Sequence, residues 1–139
     1  MKRIFLPVIL LILAFTASSM CQEKKETKEK KPVTQSVVKE VQAFHKVLHP
    51  LVHDALPDGD FGTIRKNLEK LLEKANAIQE AQVPKKLAGR QKEVEDTAEK
   101  LVSELKDLVS TKDIVDDATL EKLFNDMHET FEQLAEIVK

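Results

Sequence analysis

The chain contains no tryptophan, no tyrosine and a single cysteine. Without a second cysteine there can be no internal disulfide and no zinc site built from several thiolates. With phenylalanine the only aromatic type, the rings that stack nucleic-acid bases are largely missing. Charge argues the same way: from Val33 onward there are 21 acidic against 15 basic side chains, whereas a nucleic-acid surface is basic. Glycine and proline are also scarce, and they fall between periodic apolar segments. That pattern predicts helices joined by short loops. No strand-like alternation and no internal repeat is visible.

What is present divides the 139 residues into three parts. Residues 1–20 read as an export signal: Lys2 and Arg3 form a basic start, Ile4 to Phe15 an apolar core, and Ala17-Ser18-Ser19 a small-residue stretch. The apolar run is short for a membrane-crossing helix, which needs about 20 residues. Cys21 follows directly, as in a bacterial lipobox, where the thiol is lipidated and becomes the mature N-terminus. Met20 departs from the small residue usual before that cysteine. The expected location is the bacterial cell envelope on the periplasmic side, anchored to the membrane through Cys21, or secreted if Cys21 carries no lipid. Residues 21–32 hold this cysteine and a charge-dense stretch with no apolar residue but Pro32, expected to remain a solvated tether.

Residues 33–139 are long enough for one domain with one core. Val37, Val41, Phe44, Leu48, Leu51 and Ala55 alternate threes and fours, which predicts a first helix over roughly residues 34–56. Pro50 lies inside it, removes the hydrogen bond to the Lys46 carbonyl and predicts a bend beside His49. A second helix is predicted over about 61–82, with Ile64, Leu68, Leu71, Leu72, Ala75 and Ile78 inward. A third, over about 84–110, buries Leu87, Val94, Ala98, Leu101, Leu105 and Leu108. The fourth begins at a cap on Asp116 or Asp117 and carries Leu120, Leu123, Phe124, Met127, Phe131, Leu134 and Val138. Three short loops between such helices predict an all-α, up-down-up-down antiparallel four-helix bundle.

Three of the four histidines, His45, His49 and His53, are each four residues apart. On a helix each such step advances about 400°, so the imidazoles form one slowly drifting stripe. The fourth, His128, lies on the last helix with Glu132 one turn further on. In the predicted topology the first and last helices are antiparallel neighbours. At about 1.5 Å of rise per residue, His45 and His128 then fall at nearly the same depth, with His49 one turn above. Imidazoles from one helix facing His128 and Glu132 on another can surround an ion, because neutral imidazole and carboxylate are both zinc ligands. One ion cannot easily take all three first-helix histidines, since His45 and His53 are separated by about 12 Å of rise; either His45 or His53 is then outer-shell, or two ions bind. Height favours His45 and His49 with His128; a bend at Pro50 instead brings His53 inward and Asp60 with it. Asp58 or Asp60 is available to cap the second helix, and for Asp60 capping is the simpler expectation than ligation.

The string Leu48-His49-Pro50-Leu51-x-His53-x-Ala55-x-Pro57, followed by Asp60 and Arg65, with His128-x-x-x-Glu132 near the end, resembles a poorly characterised group of small exported bacterial four-helix proteins thought to bind metal. The resemblance covers the chain from about Phe44 and is most specific in the first-helix string. It implies His49, His53, His128 and Asp60 as the shared polar positions. Met127 stands where that pattern has Leu, and Phe131 where it has Tyr.

Other chemistries lack their signatures. Di-iron bundles use Glu-x-x-His pairs, and the residues three before each histidine are Gln42, Lys46, Pro50 and Asn125. Covalent haem needs Cys-x-x-Cys-His, and Gly59-Asp60-Phe61-Gly62 is too sparse for a phosphate loop. No nucleophile sits with a base, so no catalysis is expected. The expectation is a metal-binding envelope protein taking Zn2+, or Cu2+ next, through His45, His49, His53, His128, Glu132 and Asp60. Affinity in vitro ordinarily favours copper over zinc. The alternatives are a metal-free envelope adaptor bundle and, behind it, a bundle holding haem non-covalently between histidines or with Met127.

Overall fold

The computed structural model describes residues 35–139. Residues 1–34, with the stretch expected to be an export signal, Cys21 and the stretch expected to be a tether, lie outside the described residues. Within them the chain forms α1 (Val37–Pro50), a wide π-helical stretch (Leu51–Ala55), α2 (Phe61–Glu80), a 3-10 stretch (Lys85–Arg90), α3 (Gln91–Thr111) and α4 (Asp117–Ile137). These four helices make the expected all-α four-helix bundle, and no strand occurs among the described residues beyond one isolated bridge between Ser36 and Gln82.

The apolar periodicity explains the packing. Val37, Val41, Phe44, Leu48, Leu51 and Ala55 are all buried along one side of the first helical segment. Ile64, Leu68, Leu71, Ala75 and Ile78 face them from α2, Val94 to Leu108 from α3, and Leu120 to Val138 from α4. Each fully buried Leu, Ile or Phe contributes about 1.5–3 kcal/mol through apolar burial. Leu72, Leu87 and Leu123, expected in the core, are only half-buried at its margin. Val102, Ile137 and the hydroxyl-bearing Thr130 are buried in addition.

Two departures from the expected helices have local causes. The third helix starts at Gln91 rather than near Pro84. The intervening 3-10 stretch contains Lys85, Lys86 and Gly89 and buries no residue, so nothing holds it in regular α geometry. At Pro50 the sequence predicts a bend; the structure answers with wider turns. Pro50 has no N–H, and its ring crowds the carbonyl four residues back. Beyond it, the Leu56 N–H donates to the Leu51 carbonyl at 2.9 Å and the Asp60 N–H to the Ala55 carbonyl at 2.8 Å. Both bonds skip five residues, the π-helical pattern.

The loops are pinned by identifiable bonds. Gly59 takes a positive φ of 67° in the turn before α2, a conformation that suits a residue without a Cβ. Asp60 and Asp116 cap α2 and α4 by accepting from the Thr63 and Thr119 N–H groups. The Val37 N–H donates to the Gln82 carbonyl at 3.0 Å, tying the start of α1 to the end of α2. Arg65 does the most at the other end. Its Nε donates to the Lys112 carbonyl (2.7 Å), Nη2 to the Val115 carbonyl (2.9 Å) and Nη1 to Asp117 Oδ1 (2.7 Å). One guanidinium thus satisfies carbonyls left open where α3 ends and holds the first turn of α4. Lys112 returns the contact, with its Nζ 2.7 Å from Glu69 Oε1 on α2.

Candidate metal centre

Backbones approach closely between α1 and α2, α2 and α3, and α3 and α4, and far less between α1 and α4. On that looser side lies a groove of about 690 Å³. Its apolar lining comes from Val38, Val41, Phe131, Ala135 and Val138. Its polar lining includes His45 and His53 from the first helical segment and His128 and Glu132 from α4. The groove therefore collects imidazoles from the two helices named by the depth count.

Each side chain is held differently. His45 stacks on Phe131 with ring centroids 5.7 Å apart, and Phe131 stacks in turn on the buried Phe44 at 4.8 Å. Such ring pairs contribute about 0.5–1.5 kcal/mol beyond their buried area. His128 is partly covered, its side chain 25% exposed, and its Nε2 lies 3.5 Å from Glu132 Oε1. That separation is an electrostatic contact rather than a formed hydrogen bond. Glu132 is largely exposed.

His49 is exposed and is absent from the groove lining. It stands between its neighbours, with ring centroids 5.6 Å from His45 and 4.3 Å from His53. The wider turns after Pro50 explain why His45 and His53, rather than His45 and His49, reach the groove. A regular helix drifts by about 40° at each four-residue step. A turn with more residues advances less per residue, which rotates His53 back into line with His45.

Asp60 is placed elsewhere. It lines a separate hollow between the end of the first helical segment and the start of α2, with Lys46, Asp54, Asp58 and Thr63. Its carboxylate accepts from the Thr63 hydroxyl at 2.6 Å and the Thr63 N–H at 3.0 Å. These two bonds, the hydroxyl first, hold its pKa below the ordinary 3.8. Its occupation is helix capping. Met127 is fully buried in the core.

Sequence reasoning assigned Arg65 no task, yet it makes the longest-range polar clamp described above. The signal available was the end of α3, whose carbonyls need donors and have no glycine cap beside them. Among the described residues, no three His, Cys, Asp or Glu donors stand together in ligating positions. The structure brings His45, His53, His128 and Glu132 to one groove and leaves His49 and Asp60 outside its lining. No protein-family description, curated protein or solved structure matches this chain.

Proposed function

We propose that this protein is an exported, lipid-anchored binder of a divalent transition metal, zinc first and copper next, that uses histidines of its first and last helices. His45 and His128 supply one imidazole each, Glu132 supplies a carboxylate, and His53 lines the same groove. The observation that carries this reading is that these four side chains line one groove on the looser α1–α4 side of the bundle. The donor types suit the ion, since neutral imidazoles with a carboxylate form three-ligand zinc sites that leave one position open. Side-chain rotation is required for ligation, and the exposure of His45, His53 and Glu132 permits it. The envelope location and the anchor at Cys21 rest on the sequence of residues 1–21 alone.

Binding an ion between α1 and α4 links two helices whose backbones approach far less closely than those of α1 and α2 or α3 and α4. Metal should therefore raise thermal stability as well as bind. Elemental analysis of untagged protein, followed by zinc and copper titrations of the parent and of His128→Ala, tests the reading. Tight binding lost in the variant supports it. No binding by the parent, with no change in melting temperature, returns the protein to a metal-free adaptor bundle.

A further inference from the structure

The four-residue spacing occurs twice in the histidine stripe, yet the two ring pairs differ. His45 and His49 have centroids 5.6 Å apart at 68°, His49 and His53 4.3 Å apart at 44°. The closer pair straddles the change from α- to π-helical turns at Pro50. This difference can be compared with what one ion requires. A metal 2.0–2.1 Å from a ring nitrogen lies about 3.1 Å from that ring's centroid. Two such imidazoles meeting at 90° have centroids about 4.4 Å apart; at a tetrahedral angle they are about 5.1 Å apart. The His49–His53 separation matches the right-angled value, and the His45–His49 separation exceeds both. Right-angled nitrogen donors are the preference of Cu(II) and Ni(II), whereas Zn(II) prefers the tetrahedral arrangement.

We infer that His49 and His53 form a second, separate metal site, a two-imidazole chelate on the exposed side of the first helical segment that selects Cu(II) or Ni(II) over zinc. Both rings are exposed, so water completes the coordination. His53 is the ring within reach of either site, and its 4.3 Å approach to His49 assigns it here. His49, outside the groove lining, gains a task that the groove leaves it without. The site is distinct from the one in the proposed function, and either can exist without the other.

The test uses the untagged full-length chain in detergent. Cys21→Ser is present in every sample, so that the thiol neither binds nor reduces the probe. Bound copper is counted after equilibrium dialysis against Cu(II), and its nitrogen ligands are read by electron paramagnetic resonance. His49→Ala is expected to bind one copper fewer than its parent, with the two-nitrogen tetragonal signal lost and zinc binding unchanged. His53→Asn should repeat that result, and His128→Ala should leave the tetragonal signal intact. A His49→Ala protein that binds as much copper as its parent overturns the inference. So does loss of one and the same copper in His49→Ala, His128→Ala and the double variant, which means a single shared ion and leaves the groove reading standing. An equal loss of zinc and copper in His49→Ala overturns the metal selectivity. If His128→Ala costs nothing while His49→Ala removes one copper, the inference stands and the groove reading falls.

Discussion

The imidazole of His45 lies on the ring of Phe131, centroids 5.7 Å apart and planes only 27° from parallel. Phe131 is itself buried and stacked on Phe44, so a donor at the groove rests on the hydrophobic core. With the Phe44–Phe131 stack, this contact joins α1 to α4 on the side where their backbones approach less closely than those of the other neighbouring helices.

If the groove holds an ion, His45→Ala and His128→Ala should each weaken zinc binding by more than about tenfold, the lower bound of what even ligand-supporting residues cost when removed. Calorimetric titration checks this. Zinc at one hundred times its dissociation constant should stabilise the parent by about 2.7 kcal/mol. Neither variant should gain that stabilisation at the same concentration.

Pro50→Ala separates stability from binding. Restoring an N–H at this position permits regular i→i−4 bonding through residues 51–55, and relief of the proline is expected to stabilise the helix by about 1–3 kcal/mol. The cost is spacing. With regular turns the His49–His53 pair should open toward the 5.6 Å of the His45–His49 pair, so copper affinity should fall while the melting temperature rises. Thermal unfolding and copper titration on one sample measure both; a rise in both sinks the idea that the widened turn positions His53.

Arg65→Lys keeps the charge and loses the planar fork that reaches two carbonyls and Asp117 together. The expected loss is about 1–3 kcal/mol, since hydrogen bonds from a charged donor to partly buried carbonyls are being removed. Urea unfolding should show a lower midpoint with unchanged slope. Metal binding should be untouched at 25 °C, because Arg65 and the histidine groove share no residue.

The two helix caps give the bundle an acid-sensitive component. Asp60 is held below its ordinary pKa of 3.8 by the Thr63 hydroxyl and then by the Thr63 N–H. Asp116 is held below the same value by the Thr119 side chain and then its N–H. A carboxyl with a lowered folded pKa contributes its full stabilisation above the unfolded value and loses it as pH falls from there through the folded value. Stability from these caps is thus complete at neutral pH and fades below about pH 4. Asparagine caps helices without titrating. The Asp60→Asn, Asp116→Asn double variant should therefore lose less stability than the parent between about pH 5 and about pH 2.5 in chemical denaturation.

The bundle was legible because its information is local and repeated. Val37 to Ala55 and Leu120 to Val138 carry threes-and-fours spacing that points one side of a helix inward whatever its partner is. Asp60 and Asp116 announce helix starts in the same way, through a side chain reaching its own backbone three residues on. Leu72, Leu87 and Leu123 show where that reading stops. Apolar character marks them for burial, but only the neighbouring helices decide how much cover they receive.

By itself, then, the sequence determined that the described domain is helical, most of the residues that form its core, and that His45, His49 and His53 share a stripe while His128 and Glu132 share another. Tertiary structure decided which of these meet. The α1–α4 side packs loosely enough to leave a groove, the turns after Pro50 widen, and His53 rather than His49 joins His45 there. Periodicity records the angle of each side chain about its own axis. It does not record the distance between two axes, or a change of turn forced by one missing N–H, and the groove depends on both.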